Sequence, residues 1–372
     1  MNIDEAVLLT QDRLAEEGGT MAELLGQLRS GVSPRLIGER EWGLILERAR
    51  QLPITMGAQP FGFELPLHDS RAVADFGVSL ASGNRSGDFY EERARTDETD
   101  ETAEAVSRLF REMESQHSPL REIVGRKLML EYDLGSAPDS RKSLPGMFLR
   151  PNERTLSGGA GLQHDVGIVV DALVSCVGWE KNAVESKNAE RVYLAQPEDT
   201  RLDSFGVFPS RERTVRLAIM GFNAPEGTCC LLEHTGWPGQ LSAVDSVITR
   251  FRERADIVST GANIDVRSDG LGPTLGLTPI VKQRYTQDSR YWIDGMTDWD
   301  PILESLGHED FVVPEKLTAL ADWASKPTTL FGKTGPFLML RGIHHIKLVI
   351  SGNRLEKTKA YLYMVLSGAL SN

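Results

Sequence analysis

Cysteine is scarce: the 372 residues contain three, Cys176, Cys229 and Cys230. Two are adjacent and one is isolated, so they form neither a disulfide framework nor a zinc-binding spacing. Positive charge is also short. Lys and Arg number 41 against 53 Asp and Glu, a net charge of -12. That excludes a sequence-independent nucleic-acid binder, which needs a basic footprint, but leaves room for a local basic pocket around an anion. No run of about 18 apolar residues occurs, so nothing reads as membrane-spanning. The stretch MNIDEAVLLTQDRLAEEGG is acidic and lacks the cationic start and apolar core of a signal peptide. A cytoplasmic protein with no nucleic-acid or membrane partner is the expectation. What remains, 40% hydrophobic and 25% charged, is the balance of a globular chain.

Residues 1–52 read as helices: DEAVLLTQDRL, MAELLGQLRSG and EWGLILERARQL place apolar residues at helical spacing, with Gly and Ser-Pro breaks between them. Then the period changes. FGFELPLHD and ADFGVSLAS alternate apolar and polar residues as a strand pair. After the acidic loop RTDETDET and the amphipathic ETAEAVSRLFREMESQ comes a second pair, RKLMLEYDLG and MFLRP, around the polar loop SAPDSRKSLPG. The helical stretch LQHDV…RVYLA, with a break at Gly178, leads to DSFGVFPS, the charged turn RER and TVRLAIMGF. TCCLLEHTGWPG and LSAVDSVITRFRERADI lead to ANIDVRS and GPTLGLTPIV. WDPILESL and VPEKLTALADW lead to the last pair, GIHHIKLVISGNRLEKTKAYLYMVL. Helix, strand, strand recurs five times, and the chain reads as one domain with an N-terminal helical segment, 1–52, and a repeat region, 53–372.

Side chains alternate across a strand, so each pair has one apolar and one polar face. Phe61, Phe63 and Leu65 oppose Glu64. Leu128, Leu130 and Tyr132 oppose Lys127, Glu131 and Asp133. Val215, Leu217 and Ile219 oppose Arg216; Ile264 and Val266 oppose Asp265 and Arg267. In the last pair Lys347 opposes Ile346 and Leu348, and Lys359, Tyr361 and Tyr363 share a face. Two architectures satisfy this pattern: an open antiparallel sheet wet on one side, or a ten-stranded barrel with helices outside and the polar faces lining its lumen. Regular recurrence, and polar faces carrying acids, bases and aromatics together, favour the α+β barrel.

Five helix–hairpin repeats of this kind resemble the ABBA prenyltransferase barrel over most of residues 40–368, and the chain length is similar to the dimethylallyltryptophan synthase type. FGFELPL resembles that family's first strand, whose glutamate hydrogen-bonds the aromatic acceptor; here it is Glu64. LEYDLG with PGMFLRP resembles the second hairpin, but Phe148 and Arg150 replace the usual Lys-x-Tyr. TVRLAIMGF keeps Arg216, GPTLGLTP has no cation, and TKAYLYM carries Lys359-Ala360-Tyr361. The resemblance implies transfer of a prenyl group from an allylic diphosphate to an indole or phenol, of a small molecule or a peptide, in natural-product biosynthesis. Cations hold the diphosphate, aromatic faces shelter the allylic cation, and a carboxylate accepts the proton lost from the ring. The residues implied are Lys127, Arg150, Arg216, Arg267, Lys347 and Lys359 with Tyr361 and Tyr363, and Glu64 as base. At least four of those six cations must meet around one cavity.

The resemblance implies no obligatory metal, though Asp97 and Asp100 have a D-x-x-D spacing that suits Mg²⁺ on a diphosphate; a solvated loop is the plainer reading. Adjacent His344 and His345 are expected on opposite strand faces, a poor metal pair. Cys229 and Cys230 are expected in the core, and Trp237 as an anchor at a helix terminus. A barrel with another tailoring reaction, or a non-catalytic barrel holding a peptide or small ligand, fits the same pattern.

Overall fold

The alternating segments become five antiparallel hairpins in the computed structural model, which describes residues 3–135, 144–281, 299–308, 311–323 and 328–368. The middle of the SAPDSRKSLPG loop, 136–143, lies outside the described residues. The strands in chain order are β1 (Phe61–Pro66), β2 (Asp75–Ala81), β3 (Lys127–Tyr132), β4 (Gly146–Leu149), the two-residue β5 (Leu156–Ser157) and β6 (Arg201–Val207). They continue with β7 (Val215–Phe222), β8 (Ile257–Arg267), β9 (Gly270–Val281), β10 (Thr328–Gly332), β11 (Gly335–Ser351) and β12 (Arg354–Ser367). Neighbouring hairpins join through Glu64 opposite Tyr361, Gly77 opposite Glu131, Phe148 opposite Gly206 and Arg216 opposite Asp265. Val349 opposite Gly276 then pairs β11 with β9 and closes a ring of ten strands. β5 and β10 pair outside it, on β6 and β11. Closure leaves none of the ten with an open edge, which an open sheet could not avoid.

Helices cover the outside. α1 (Ile3–Glu17), α2 (Met21–Leu28) and α3 (Glu39–Ala49) precede the first hairpin. α4 (Arg85–Thr96), α5 (Glu101–Glu114) and α6 (Leu120–Ile123) follow it, then α7 (Gln163–Cys176) and α8 (Ala183–Leu194). α9 (Pro225–Thr235), α10 (Leu241–Arg254), α11 (Asp300–His308) and α12 (Pro314–Trp323) complete the layer. Their starts are chemically marked: Asn84, Asp100 and Asn182 each accept a hydrogen bond from a backbone N–H of the first turn, satisfying donors that the helix leaves open. Gly236 ends α9 at φ 71°, a left-handed turn that a side chain resists, and buried Trp237 then donates its backbone N–H to Leu232.

The apolar core is therefore a shell between barrel and helices, not the barrel interior. Phe63 of β1 packs between Trp42 of α3, at 5.9 Å between ring centres, and Trp323 of α12, at 6.3 Å. Full burial of such side chains contributes about 1.5–3 kcal/mol each. Lys316 of α12 is also in this shell, 1% exposed, and donates to the carbonyls of Pro66 at 2.6 Å and Arg71 at 2.7 Å. Among the described residues no helix is long and apolar enough to cross a membrane.

Two expectations are corrected. A β-bulge between Ile343 and His345 inserts His344 as an extra residue, so the two imidazoles meet, Nδ1 to Nδ1 at 2.7 Å, instead of pointing apart. A bulge breaks the period of two at the residue it adds. Cys230 is exposed and contacts His234 one helical turn on, while Cys229 is only half-buried.

Candidate active site

The inner faces of the strands carry the polar positions, and they are not distributed evenly. β1, β2 and β3 supply Glu64, Asp75 and Glu131, with Asp133 just beyond β3; Glu64, Glu131 and Asp133 are all buried. β7, β11 and β12 supply Arg216, Lys347, Lys357 and Lys359, and Arg211 reaches in from the β6–β7 turn. Between the basic strands and β8–β9 lies a cavity of about 170 Å³ whose wall carries those five cations.

Most of the cations are already engaged. Arg216 makes a bidentate pair with Asp265, at 2.8 and 3.0 Å. Arg211 donates to Asp133, with Nε at 2.9 Å, and to Glu131 at 3.2 Å. Lys359 donates to Glu64, and Lys357 lies 3.8 Å from Glu356 in a half-exposed pair. Lys347, 8% exposed, has its Nζ 4.9 Å from the centre of the Tyr361 ring.

These contacts set the protonation states. Burial pushes the Glu64 carboxyl up, but Lys359, Arg211 and Lys347 outweigh it and hold it well below the usual carboxylate range. Burial and repulsion from Glu64 push Glu131 up to about 8 despite Arg211, and burial with Glu64 and Asp133 pushes Asp75 up to about 6. Burial and Arg216 push the Lys347 amine down to about 7, against the pull of Glu64. Burial and the neighbouring Glu64 and Glu131 raise the Tyr361 phenol, which donates to Glu64.

An aromatic strip runs beside the cations. The Phe148 ring lies over Gly206, where a Cβ would come within 2.6 Å of it, and meets Phe208 edge-on at 5.1 Å. The guanidinium groups of Arg211 and Arg216 sit over Phe208, 4.3 and 4.5 Å from its centre. Across the lumen His345 stacks on Tyr361 at 4.0 Å, and buried Tyr363 lies one layer further along β12, near His344.

Of the six cations named from sequence, Arg216, Lys347 and Lys359 line the cavity. The other three do not, so the requirement for four of that set is unmet. Lys127, at the far end of β3, is mostly exposed and 3.7 Å from Asp4 of α1. Arg150 lies past β4, exposed, on Asp203 at 2.6 Å. Arg267 ends β8 and pairs with Glu212 at 2.6 Å. Each sits at a strand end, where alternation fixes the face but not the depth. Arg211 and Lys357 take their place in the wall. Lys357 is legible by counting back by two from Lys359; Arg211 lies in a turn, where no period applies. Phe208 shares parity with Gly206 and could have been found the same way. Outside the barrel, Asp100 caps α5 and pairs with Arg93, and Asp97 binds Thr99. No group of three His, Cys, Asp or Glu among the described residues is placed to hold a metal ion.

No protein-family model and no curated protein matches the chain by sequence. Solved structures do match by fold. The apo form of the prenyltransferase PriB superposes with a TM-score of 0.52 at 13% identity, over 97% of this chain and 96% of that one. 5-Dimethylallyltryptophan synthase from Streptomyces coelicolor gives 0.51 at 14% identity over 92% and 97%. The same synthase in complex with DMASPP and Trp gives 0.52 at 14% over 93% and 95%. The chain has the closed ten-stranded barrel of the aromatic prenyltransferases.

Proposed function

We propose that this barrel transfers a prenyl group from an allylic diphosphate to an aromatic acceptor, a small indole or phenol or an aromatic residue of a peptide. The observation that carries the reading is the cavity itself: five cations and Tyr361 line it inside a barrel, with Phe208 and Phe148 packed beside Arg211 and Arg216. As the allylic C–O bond breaks, the electron pair leaves with the diphosphate, toward Lys357, Lys359, Lys347 and Arg216. Charge-assisted contacts to phosphate oxygens are strong in a site poor in water. The allylic cation left behind lies against Tyr361, Phe148 and Phe208, whose ring faces are negative. A ring carbon of the acceptor supplies the electrons of the new C–C bond, and the ring then loses a proton.

Glu64 takes a different part from a general base. An acid held so far below its usual range is a weak proton acceptor, so its carboxylate instead accepts a hydrogen bond from the acceptor's N–H or O–H and enriches the ring. Incubation with dimethylallyl and geranyl diphosphates and a panel of indoles and phenols, read by mass spectrometry, tests this. Absence of any allylic diphosphate binding by calorimetry would reject it. One observation favours a second reading: Arg216, Arg211 and Lys359 are each matched by a carboxylate, which suits a barrel with another small-molecule or peptide tailoring reaction, or a binding barrel, as well as it suits diphosphate.

A further inference from the structure

Lys347 is the one cation of the cavity wall that makes no hydrogen bond or ion pair with a described residue. Its place is built. In the seam that closes the barrel, its stem lies across Gly276 of β9; a Cβ at Gly276 would stand 3.2 Å from Lys347 Cδ. Its Nζ faces the Tyr361 ring at 4.9 Å. Around it stand Arg216 from β7, Asp265 from β8, Glu64 from β1, Glu131 from β3, Arg211 from the β6–β7 turn, Lys357, Lys359 and Tyr361 from β12, and His345 on its own strand.

Burial and Arg216 push this amine down to about 7, so far more of it is uncharged at neutral pH than of an ordinary lysine, for which the share is roughly one part in 2,500. Desolvation and a neighbouring cation are the two means by which an amine becomes a nucleophile in a protein. Charges able to hold an anion stand next to it in the same wall.

We propose that Lys347 is a reactive amine that forms an imine with an aldehyde carrying a phosphate or similar anionic group, a chemistry of this cavity separate from prenyl transfer. The Nζ lone pair attacks the carbonyl carbon, the C=O π pair moves to oxygen, and a proton shift gives the carbinolamine. Loss of water then leaves C=N. One aldehyde and one amine give one imine and one water, with no oxidation or reduction. Glu131, neutral below about 8, supplies the proton that water needs to depart. Lys357, Lys359 and Arg216 hold the anionic end.

Pyridoxal 5′-phosphate is the probe: an aldehyde, an aromatic ring and a phosphate in one molecule. The intact protein is treated at pH 7, reduced with borohydride and mapped by peptide mass spectrometry. Lys347 should be the dominant site. Inorganic pyrophosphate should protect it, because an anion in the cavity both blocks the amine and favours its charged form. Pyridoxal, without the phosphate, should label it about tenfold more slowly, the effect of about 1.4 kcal/mol of lost anion contact. Lys347→Arg, which removes the nucleophilic amine and keeps a long cationic side chain, should lose the cavity label in a protein that still melts cooperatively. Labelling of exposed lysines with Lys347 unmodified in the wild-type protein overturns the proposal. So does Lys347 labelling indifferent to both the phosphate and pyrophosphate. Neither result bears on allylic diphosphate turnover, which is measured separately.

Discussion

Glu131→Gln should stabilise the protein, and increasingly so as pH rises. Glu131 is buried beside Glu64 and Asp75, and its carboxyl is pushed up to about 8, whereas an unfolded glutamate titrates near 4.3. Below about pH 4 both states hold the proton and the residue is neutral in the balance. Between about 4 and 8 the folded protein keeps a proton that the unfolded chain releases, so stability falls as pH rises. A gap of about 3.7 pH units at about 1.4 kcal/mol each sets an upper bound of about 5 kcal/mol above pH 8. That value already contains the attraction of Arg211, while Asp75 and Glu64 share the repulsion and can take up protons as Glu131 loses its own, which returns about 2–3 kcal/mol. A net gain of about 2–3 kcal/mol at pH 8.5, vanishing near pH 4.5, remains. Lys316, whose amine is pushed down to about 8, adds an opposite slope above that value equally in both proteins, whereas Lys347, pushed down to about 7 and partly held up by Glu131, loses that support in the variant and begins its slope at lower pH. Urea denaturation of wild type and variant at pH 4.5, 6.5 and 8.5 measures the difference. Parallel curves, or a variant less stable at every pH, would refute the reasoning.

Other perturbations have equally definite outcomes. Gly62→Ala places a Cβ 1.9 Å from the Leu362 carbonyl oxygen across the β1–β12 pairing, so it should cost about 3 kcal/mol or more, or prevent folding, as read by thermal melts. Lys359→Ala strands a buried Glu64 and should cost about 3–5 kcal/mol, whereas the double variant with Glu64→Gln should recover part of that; equal loss in both would mean the pair is not coupled. If prenyl transfer is present, Lys359→Ala should raise the KM for the diphosphate and Glu64→Gln should mainly lower kcat. Lys316→Met leaves the Pro66 and Arg71 carbonyls without their donor and should cost about 2–4 kcal/mol. Because the folded amine sheds its proton near 8 and the unfolded one near 10.4, wild-type stability gains over that window, and the gap to the variant should widen from pH 8 to 10.

The candidate site was half legible beforehand, and the two halves differ in kind. Glu64, Lys347, Lys359 and Tyr361 lie well inside their strands and Arg216 one residue in from the start of β7; there parity tells which way a side chain faces, and all five line or adjoin the cavity. Lys127, Arg150 and Arg267 have the right parity near strand ends, where the same face runs out to the mouths of the barrel and meets Asp4, Asp203 and Glu212. Arg211 was hidden because a turn has no period. His344 was misplaced because a single inserted residue reverses parity locally.

By itself the sequence determined the five hairpins, the outward apolar face that calls for helices, and the polar face that those helices leave uncovered. All of that follows from spacing along the chain, since a period of 2 or 3.6 is a local property of the backbone. Only the tertiary structure decided that β11 meets β9, that Gly276 makes room for the Lys347 stem, and that the carboxylates of β1 and β3 meet Lys359 and Arg211 inside the barrel. Those are outcomes of register across a closing seam. They depend on which residues far apart in sequence arrive at the same depth, and no local period records depth.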